Sequence, residues 1–516
     1  MTKKRQRFAV PPTARQRGLA GDHLGPEIEL ARGRHEAQEL QRRQQQGLGN
    51  PIVSAEFKGQ RFVAVGNALH HSARWRTFHD FLIDYGRHIL GRDWWVAESK
   101  KDFNERHPAV RWFELMHRPE PDTERPVQLG RPMTGAVAAY LRLAYDLYCL
   151  KHNAQVRDRL VQRLKDQGNY PGARYEVFVA AAFARAGFDI EFENEDDGTT
   201  SHCEFTATCK QTGRKFSVEA KHCAIELRIG RRLYGALSKK ADHPRVVFID
   251  VNSPDDGSSG AEMPQFMRFA LDGARRFERS RQGRALPPAY LFMTNHPFHH
   301  HLDSTAFRSS FIVEGFHIPD FKGDAMFRSL REAVDARDAH AEMERLAKSM
   351  HEHGEVPATF DGDIPELAFG EGKPDRLQIG ERYLVPDGNR LLVPATLRIA
   401  AVMERERLAY GVYATDDGRQ LNLSCPLTDD ELAAYRRHPD TFFGAVHEVP
   451  KQLSNPVDLY DFVFSAYSRS PREKLLEFLA GAPDIEHLKT LSQPELARTY
   501  SERCVQSMLV SRGPTK

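Results

Sequence analysis

The sequence predicts an α/β fold for the middle of the chain, residues 170–295. An apolar helix is followed there by three short strands, and two further pairs of helix and strand come after them. Helical apolar spacing that alternates with short strand-like runs is typical of a sheet covered by helices. The predicted order is αβββαβ with an added helix and strand, and the strands are expected to run in mixed directions.

The first predicted helix covers residues 173–186 and ends at Gly187, because glycine readily takes the positive φ of a helix C-cap. The turn at residues 210–213 contains Gly213, which suits a tight connection between two strands. Alternation and apolar runs place the remaining elements. The predicted strands are 188–193, 202–208, 215–222, 245–251 and 289–295, and the predicted helices are 231–241 and 264–279.

The composition indicates several domains and no membrane span. At about 150 residues per domain, 516 residues correspond to roughly three domains. The longest uncharged apolar run, residues 177–184, is far shorter than the roughly 20 residues of a transmembrane helix. The basic start lacks an apolar signal region, and the six cysteines show no paired spacing. We therefore expect a cytoplasmic protein with free thiols.

The chain is expected to contain five regions. Proline, arginine and glutamine residues with little apolar periodicity predict a basic, loosely held tail at 1–50. A hairpin at 52–65 and helices at 75–90 and 135–167 predict a mostly helical module at 51–169. The α/β core then covers 170–305, a helical connector and linker 306–377, and an α+β module 378–516. The outer elements are predicted as helices at 325–353, 429–437, 472–479 and 494–509, and as strands at 383–385, 391–402 and 408–413.

Three carboxylates and one lysine are predicted to meet beside the central sheet. Strand alternation places Glu219 and Lys221 on one face, and a hairpin would bring Glu204 next to Glu219. Glu176 is the only acid of the apolar helix, where an uncompensated carboxylate is costly. Carboxylate oxygens suit a hard divalent cation, and a lysine can hold or deprotonate an attacking water.

These residues resemble the PD-(D/E)xK phosphodiesterase superfamily, in helix-Glu176, Cys203-Glu204-Phe205 and Val218-Glu219-Ala220-Lys221. The resemblance implies a restriction-endonuclease-like fold and hydrolysis of phosphodiester bonds with Mg²⁺ or Mn²⁺, most often in DNA. It also implies that Glu204 and Glu219 are metal ligands, that Lys221 orients or activates the water, and that Glu176 is an accessory ligand. The family usually has Asp after Pro where Cys203-Glu204 stands, so the longer glutamate changes the metal geometry.

Two clusters of basic residues favour nucleic acid, although Lys+Arg at 73 and Asp+Glu at 71 nearly balance. Phosphate contacts from Lys and Arg dominate non-specific DNA affinity. For a single residue, solvation of a helix face is the simpler explanation, but the clusters together favour phosphate binding. The candidates are Arg228, Arg231, Arg232, Lys239, Arg275 and Arg276, with Arg279, Arg281 and Arg284 beside them.

The expected function is a metal-dependent nuclease acting in restriction, defence against foreign DNA or repair. The alternative is a catalytically inactive nuclease-fold protein that binds nucleic acid or serves as a scaffold, and a regulatory protein acting through the flanking modules is a third possibility. DNA is favoured as partner, no membrane is expected, and a protein partner or a homo-oligomer stays open. No GxxxxGK[ST] loop is present, so nucleotide hydrolysis is not expected.

Three other patterns are weaker. An acidic turn that includes Glu193 is more simply a solvated loop, and the cysteines near Glu204 and Glu219 are more simply buried thiols than zinc ligands. The histidine-rich loop could approach a scissile phosphate, but a surface loop with hydrogen-bonded imidazoles is favoured. The residues concerned are Glu193, Glu195, Asp196 and Asp197; His202, Cys203, Cys209, His222 and Cys223; and His296, His299, His300 and His301.

Overall fold

The chain divides into two compact units. One comprises residues 1–317 with 345–449, and the other comprises residues 318–344 with 450–516. Every strand of the described segments belongs to the first unit, and so do all candidate site residues. The computed structural model describes residues 24–118, 133–154, 158–193, 203–223, 228–280, 286–369, 377–389, 391–447 and 455–512.

The N-terminal part of the first unit contains a long helix, a three-stranded antiparallel sheet and five shorter helices. The predicted hairpin is present, and a third strand that the sequence did not indicate extends it. The elements are α1 (Leu24–Gln46), β1 (Val53–Phe57), β2 (Gln60–Val65), β3 (Ala68–Ser72), α2 (Phe78–Leu90), α3 (Arg92–Ser99), α4 (Pro108–His117), α5 (Gly135–Asn153) and α6 (Asp158–Lys165).

The prediction of a loosely held tail is wrong for residues 24–46, which form α1. Ala37, Gln41 and Gln46 of this helix are buried. The side-chain amide of Gln41 donates a 2.9 Å hydrogen bond to the carbonyl of Gly362. The glutamine-rich composition resembles that of a solvated arm, but these amides satisfy buried carbonyl groups, and such pairing cannot be inferred from composition.

A six-stranded mixed sheet forms the centre of the first unit, in the order β4-β5-β6-β7-β8-β9. Strand β7 runs parallel to β6 and β8, and the other neighbours are antiparallel. The predicted order of elements is confirmed, with positive φ at Gly187 and Gly213. The elements are α7 (Tyr170–Arg185), β4 (Phe188–Phe192), β5 (Phe205–Cys209), β6 (Lys215–His222), α8 (Ile229–Leu237), β7 (Arg245–Asp250), α9 (Gln265–Ser280), β8 (Ala289–Asn295) and β9 (Ser310–Phe316).

Strand β9 lies in the region 306–377, which was predicted to be a helical connector and linker. It pairs antiparallel with β8 along its whole length. Its buried Glu314 interrupts the apolar pattern that marks a strand, and Arg275 of α9 compensates this charge at 3.0 Å. Because the charge partner of Glu314 is distant in sequence, local periodicity alone does not indicate this strand.

The two faces of the central sheet are covered by different helices. Phe183 of α7 contacts Phe205 and Phe248, with ring centroids 5.7 and 5.9 Å away. Residues of α8 and α9 pack instead against Val247 and Ile249 of β7. Since Glu219 and Lys221 pair in register with these two β7 residues, both point to the α8/α9 face, away from α7.

The remaining strands of the first unit form a four-stranded antiparallel sheet in the order β10-β11-β12-β13.

The helix predicted at 325–353 is divided in two at His340, and β13 and α14 were not predicted. Within the described segments, none of the helices combines the length and apolar character needed to cross a bilayer. The elements are α10 (Leu330–Ala339), α11 (Ala341–Glu352), α12 (Pro365–Phe369), β10 (Arg382–Pro386), β11 (Leu392–Met403), β12 (Leu408–Thr415), β13 (Gln420–Pro426), α13 (Asp429–Arg437), α14 (Pro456–Tyr467), α15 (Arg472–Phe478), α16 (Ile485–Leu488) and α17 (Gln493–Arg512).

Candidate active site

Glu204, which immediately precedes β5, and Glu219 of β6 lie side by side. Phe205 at the start of β5 pairs with Val218 of β6, and the backbone N–H of Glu204 donates to the carbonyl of Val218 at 2.9 Å. Both carboxylates contact the Nζ atom of Lys239, which lies 3.2 Å from Glu204 Oε1 and 2.9 Å from Glu219 Oε1. The structure therefore brings the two acids together on one face of the sheet, as the sequence predicted.

Lys221 completes this group. Its Nζ atom forms an ion pair with Oε1 of Glu219. The Glu219 side chain is 1% exposed, whereas that of Lys221 is 23% exposed. The ammonium group therefore lies between the buried carboxylate and solvent, where it can contact both Glu219 and an incoming water molecule.

Glu219 is electrostatically unusual. Its Oε2 atom is buried and accepts no hydrogen bond from any described residue. Burial, and then the charge of Glu204, raise the pKa of Glu219, although Lys221 and Lys239 act in the opposite direction. Burial disfavours the charge of Lys239, but the two glutamates together raise the pKa of this lysine. A buried oxygen without a donor is costly, and a bound cation would offset this cost.

Glu176 does not join the other two acids. It lies on α7, which covers the opposite face of the sheet, and Oε2 accepts a 2.8 Å hydrogen bond from Nη1 of Arg163 on α6. Consistent with this, the described residues contain no group of three His, Cys, Asp or Glu side chains placed to hold a metal ion. The predicted meeting of three carboxylates is therefore not observed, because an arginine compensates the charge of Glu176.

The two remaining carboxylates fit a divalent cation by charge and by donor type. Oxygen donors are those that Mg²⁺ and Mn²⁺ prefer, and such ions keep several water ligands when few protein ligands are present. In this structure the ammonium group of Lys239 connects Glu204 and Glu219, so a cation already balances the pair. The residues are therefore compatible with a divalent ion in place of this ammonium group.

The predicted phosphate-binding residues lie in four different environments. Arg228 and Arg231 at the start of α8 and Arg276 on α9 are exposed, and both helices cover the face that carries Glu219. Arg275 instead binds Glu314 through two hydrogen bonds of 3.0 and 3.1 Å, and Lys239 belongs to the carboxylate group.

Arg232 is half-buried; burial raises the pKa of the Cys223 thiol, and the positive charge of Arg232 acts in the opposite direction. Arg281 and Arg284 lie outside the described residues. The sequence predicted Lys239 as a phosphate-binding residue and not as the partner of the two carboxylates. Its position after α8 does not indicate that the chain turns back over β5 and β6.

The histidine-rich loop lies on the α7 face and not beside Glu219. His296 packs edge to face on Phe178 of α7, with ring centroids 4.4 Å apart. His299 and His300 both contact Oδ1 of Asn252, at 2.8 and 3.2 Å. The expectation of hydrogen-bonded imidazoles is confirmed for these two residues, and the loop has no place in the carboxylate site.

The other weak patterns also have ordinary explanations. Cys203, Cys209 and Cys223 are buried free thiols, as expected. Glu193 accepts a 3.2 Å hydrogen bond from the hydroxyl of Thr206. His202 and the acidic residues 195–197 lie outside the described residues. Among the described residues, these side chains form no group of three that could hold a metal ion.

Two adjacent carboxylates with a partly exposed lysine beside them are compatible with metal-assisted hydrolysis. Three exposed arginines on the same face of the sheet could hold an anionic substrate. Comparison with known proteins yields no matching family model and no matching curated protein. Function must therefore be inferred from the chemistry of this chain's own residues.

Proposed function

We propose that this protein is a metal-dependent nuclease that hydrolyses phosphodiester bonds, preferably in DNA, with Mg²⁺ or Mn²⁺ as cofactor. The observation that carries the proposal is the buried Glu219, which has an unpaired oxygen, shares Lys239 with Glu204 and forms an ion pair with Lys221. The αβββαβ order around these residues is the one that the resemblance to the PD-(D/E)xK superfamily implies. The proposal therefore includes a restriction-endonuclease-like core.

In the proposed reaction, Glu204 and Glu219 hold the divalent ion. When bound, this ion would supply Lewis-acid polarisation of the phosphate and offset the negative charge that develops during attack. Lys221 orients the attacking water by donating a hydrogen bond to its oxygen, since its ammonium group lies at the boundary between Glu219 and solvent. The water loses its proton to bulk solvent as its oxygen bonds to phosphorus and the phosphodiester P–O bond breaks. Lys239 balances the two carboxylates when no divalent ion is present.

Substrate binding is assigned to the exposed arginines of α8 and α9. Arg228, Arg231 and Arg276 provide positive charge on the face of the sheet that carries the carboxylates. Such residues bind phosphate without reading sequence, so affinity for DNA should fall steeply with salt. Restriction, defence against foreign DNA and repair would all use this activity.

Purified full-length protein should cleave DNA in Mg²⁺ or Mn²⁺ and should be inactive in EDTA. Linear, circular and single-stranded DNA and RNA are compared in parallel to define the substrate. Lys221→Met should lower the rate by about 10²-fold, because the water is no longer oriented. The matched control is Lys215→Met, since Lys215 is exposed on the same strand. Equal rates in the two variants would exclude Lys221 from the reaction.

Affinity for Mn²⁺ should depend on pH in a way set by Glu219. Its pKa is raised above the ordinary 4.5, and a proton competes with the metal for the same carboxylate. Binding is therefore complete above the raised pKa and is lost as the pH falls through it. Glu204→Gln removes a charge that raises this pKa, so the midpoint should move to lower pH while binding weakens.

This pH dependence can be measured by calorimetric titration with Mn²⁺ between about pH 5 and pH 8. Lys215→Met serves again as the control, with an unchanged midpoint. If the midpoint pH of Mn²⁺ binding is the same in Glu204→Gln as in the unaltered protein, the two carboxylates do not interact. The measurement needs no cleavage, so it separates metal binding from catalysis.

One observation favours a second candidate function, an inactive nuclease-fold protein that binds or presents nucleic acid. Lys239 already joins both carboxylates, and a pair balanced in this way needs no metal ion. This candidate predicts DNA binding that is sensitive to salt, survives Glu219→Gln and is never followed by cleavage with any divalent ion. Cleavage in Mn²⁺ that Glu219→Gln abolishes would exclude it.

A further inference from the structure

The first unit contains a cavity of about 860 Å³ that the proposed nuclease reaction does not use. This volume lies within the roughly 300–1,000 Å³ range of small-molecule sites, which are mostly apolar with a few converging polar groups. The cavity fits that description. Its apolar wall includes Met133, Leu141, Phe298, Phe307, Val356 and Pro357.

Arg142 of α5 provides the buried polar group of this cavity. The residue is only 7% exposed, and its Nη2 atom donates to the carbonyl of Gly354, which also lines the cavity. Its Nη1 atom is buried and has no hydrogen-bond partner among the described residues. A buried guanidinium nitrogen without an acceptor is expensive, and because Arg142 lines the cavity, an anion bound there would offset this cost.

The charges around Arg142 indicate that the bound acceptor carries a negative charge. The nearest carboxylate is Asp146, which lies 3.8 Å from Nη1 of Arg142 but 2.6 Å from Nη1 of Arg185. One buried carboxylate therefore serves two buried guanidinium groups. The acids of the cavity wall, Glu352 and Glu355, are exposed to solvent, and Glu355 pairs with Arg437. Arg142, Arg174 and Arg185 thus outnumber the neighbouring buried carboxylates Asp146 and Asp250.

We propose that this cavity binds a small organic anion, whose carboxylate or phosphate group meets Arg142 while its apolar body packs on Phe298 and Phe307. The site is distinct from the carboxylate pair, because α5 packs on α7, and α7 covers the opposite face of the sheet from Glu219. The inference therefore does not depend on the nuclease proposal.

Calorimetry on the full-length chain tests the proposal with three probes that share one aromatic frame. These are 1-naphthyl phosphate, 1-naphthylacetate and the uncharged 1-naphthylmethanol. At least one anion should bind with saturation at one site per chain, about tenfold or more tighter than the alcohol. The two anions distinguish a phosphate ligand from a carboxylate ligand. Anions that bind no better than the alcohol would overturn the proposal.

Variants then locate the site. Arg142→Met removes the cation and should weaken anion binding about tenfold or more, whereas Arg142→Lys should keep part of the affinity. Ala138→Trp fills the cavity without changing its charge and should have the same effect, which makes the test independent of whether Arg142→Met folds. The control is Ala401→Trp on the exposed side of β11, which should bind like the unaltered protein. Unchanged anion binding in Ala138→Trp would overturn the assignment.

Discussion

Glu219→Gln is expected to reduce divalent-dependent DNA cleavage by at least about 10³-fold, an effect equivalent to several kcal/mol of lost transition-state stabilisation. The substitution keeps the shape of a side chain that is 1% exposed but removes the charge that would hold the metal ion. The neutral amide also cannot form ion pairs with Lys221 and Lys239. We therefore expect the rate to fall with both Mg²⁺ and Mn²⁺.

We expect this variant to remain folded, and the direction of its effect on stability follows from the raised pKa of Glu219. Because Glu219 has a raised pKa in the folded protein, its ionised form reduces stability at every pH above that value. A neutral glutamine removes this penalty, and the two lysines stay compensated because Lys239 keeps Glu204 as a partner and Lys221 reaches solvent. The thermal midpoint at neutral pH should therefore not decrease. Loss of cleavage can then be attributed to the site and not to unfolding.

Two further variants make the experiment specific. Glu191→Gln alters an exposed acid on β4 and should leave the rate unchanged. Glu176→Gln weakens the contact with Arg163 and should lower the thermal midpoint while leaving the dependence on divalent ion as it is. If folded Glu176→Gln loses cleavage as completely as Glu219→Gln, the helix acid acts in catalysis and our structural role for it is wrong.

Asp146→Asn is expected to destabilise the first unit by about 3–5 kcal/mol, the usual range for removing one partner of a buried ion pair. Asp146 is 2% exposed and Arg185 is 5% exposed, and the two are joined at 2.6 Å. The substitution leaves Arg185 and Arg142 as two buried cations without a carboxylate between them. Neither arginine can move to solvent without disturbing the packing of α5 on α7.

Tryptophan fluorescence during urea denaturation measures this effect selectively. The four tryptophans, Trp75, Trp94, Trp95 and Trp112, all lie in the first unit, so the signal is separate from unfolding of the second. Asp416→Asn is the matched control, because the pair of Asp416 with Arg382 is exposed and should contribute at most about 1 kcal/mol. A loss below that value for Asp146→Asn would show that water reaches the buried pair.

Local pattern was sufficient for most of the central sheet. Strand β6 was predicted with the bounds that the structure has, because its alternation of apolar and polar residues is regular. Strand β9 escaped prediction because Glu314 breaks the alternation, and helix α1 escaped because its glutamines resemble a solvated arm. In each case the missing information was a partner distant in sequence.

For the candidate site, the sequence by itself determined which strands carry Glu204, Glu219 and Lys221 and that the two acids are neighbours, since period-two alternation fixes the face of a side chain. Only the tertiary structure decided which charges meet across elements. It pairs Glu176 with Arg163 on the opposite face and places Lys239 between the two carboxylates. The physical reason is that a buried charge takes its partner from whichever element packs against it, and packing depends on the whole fold.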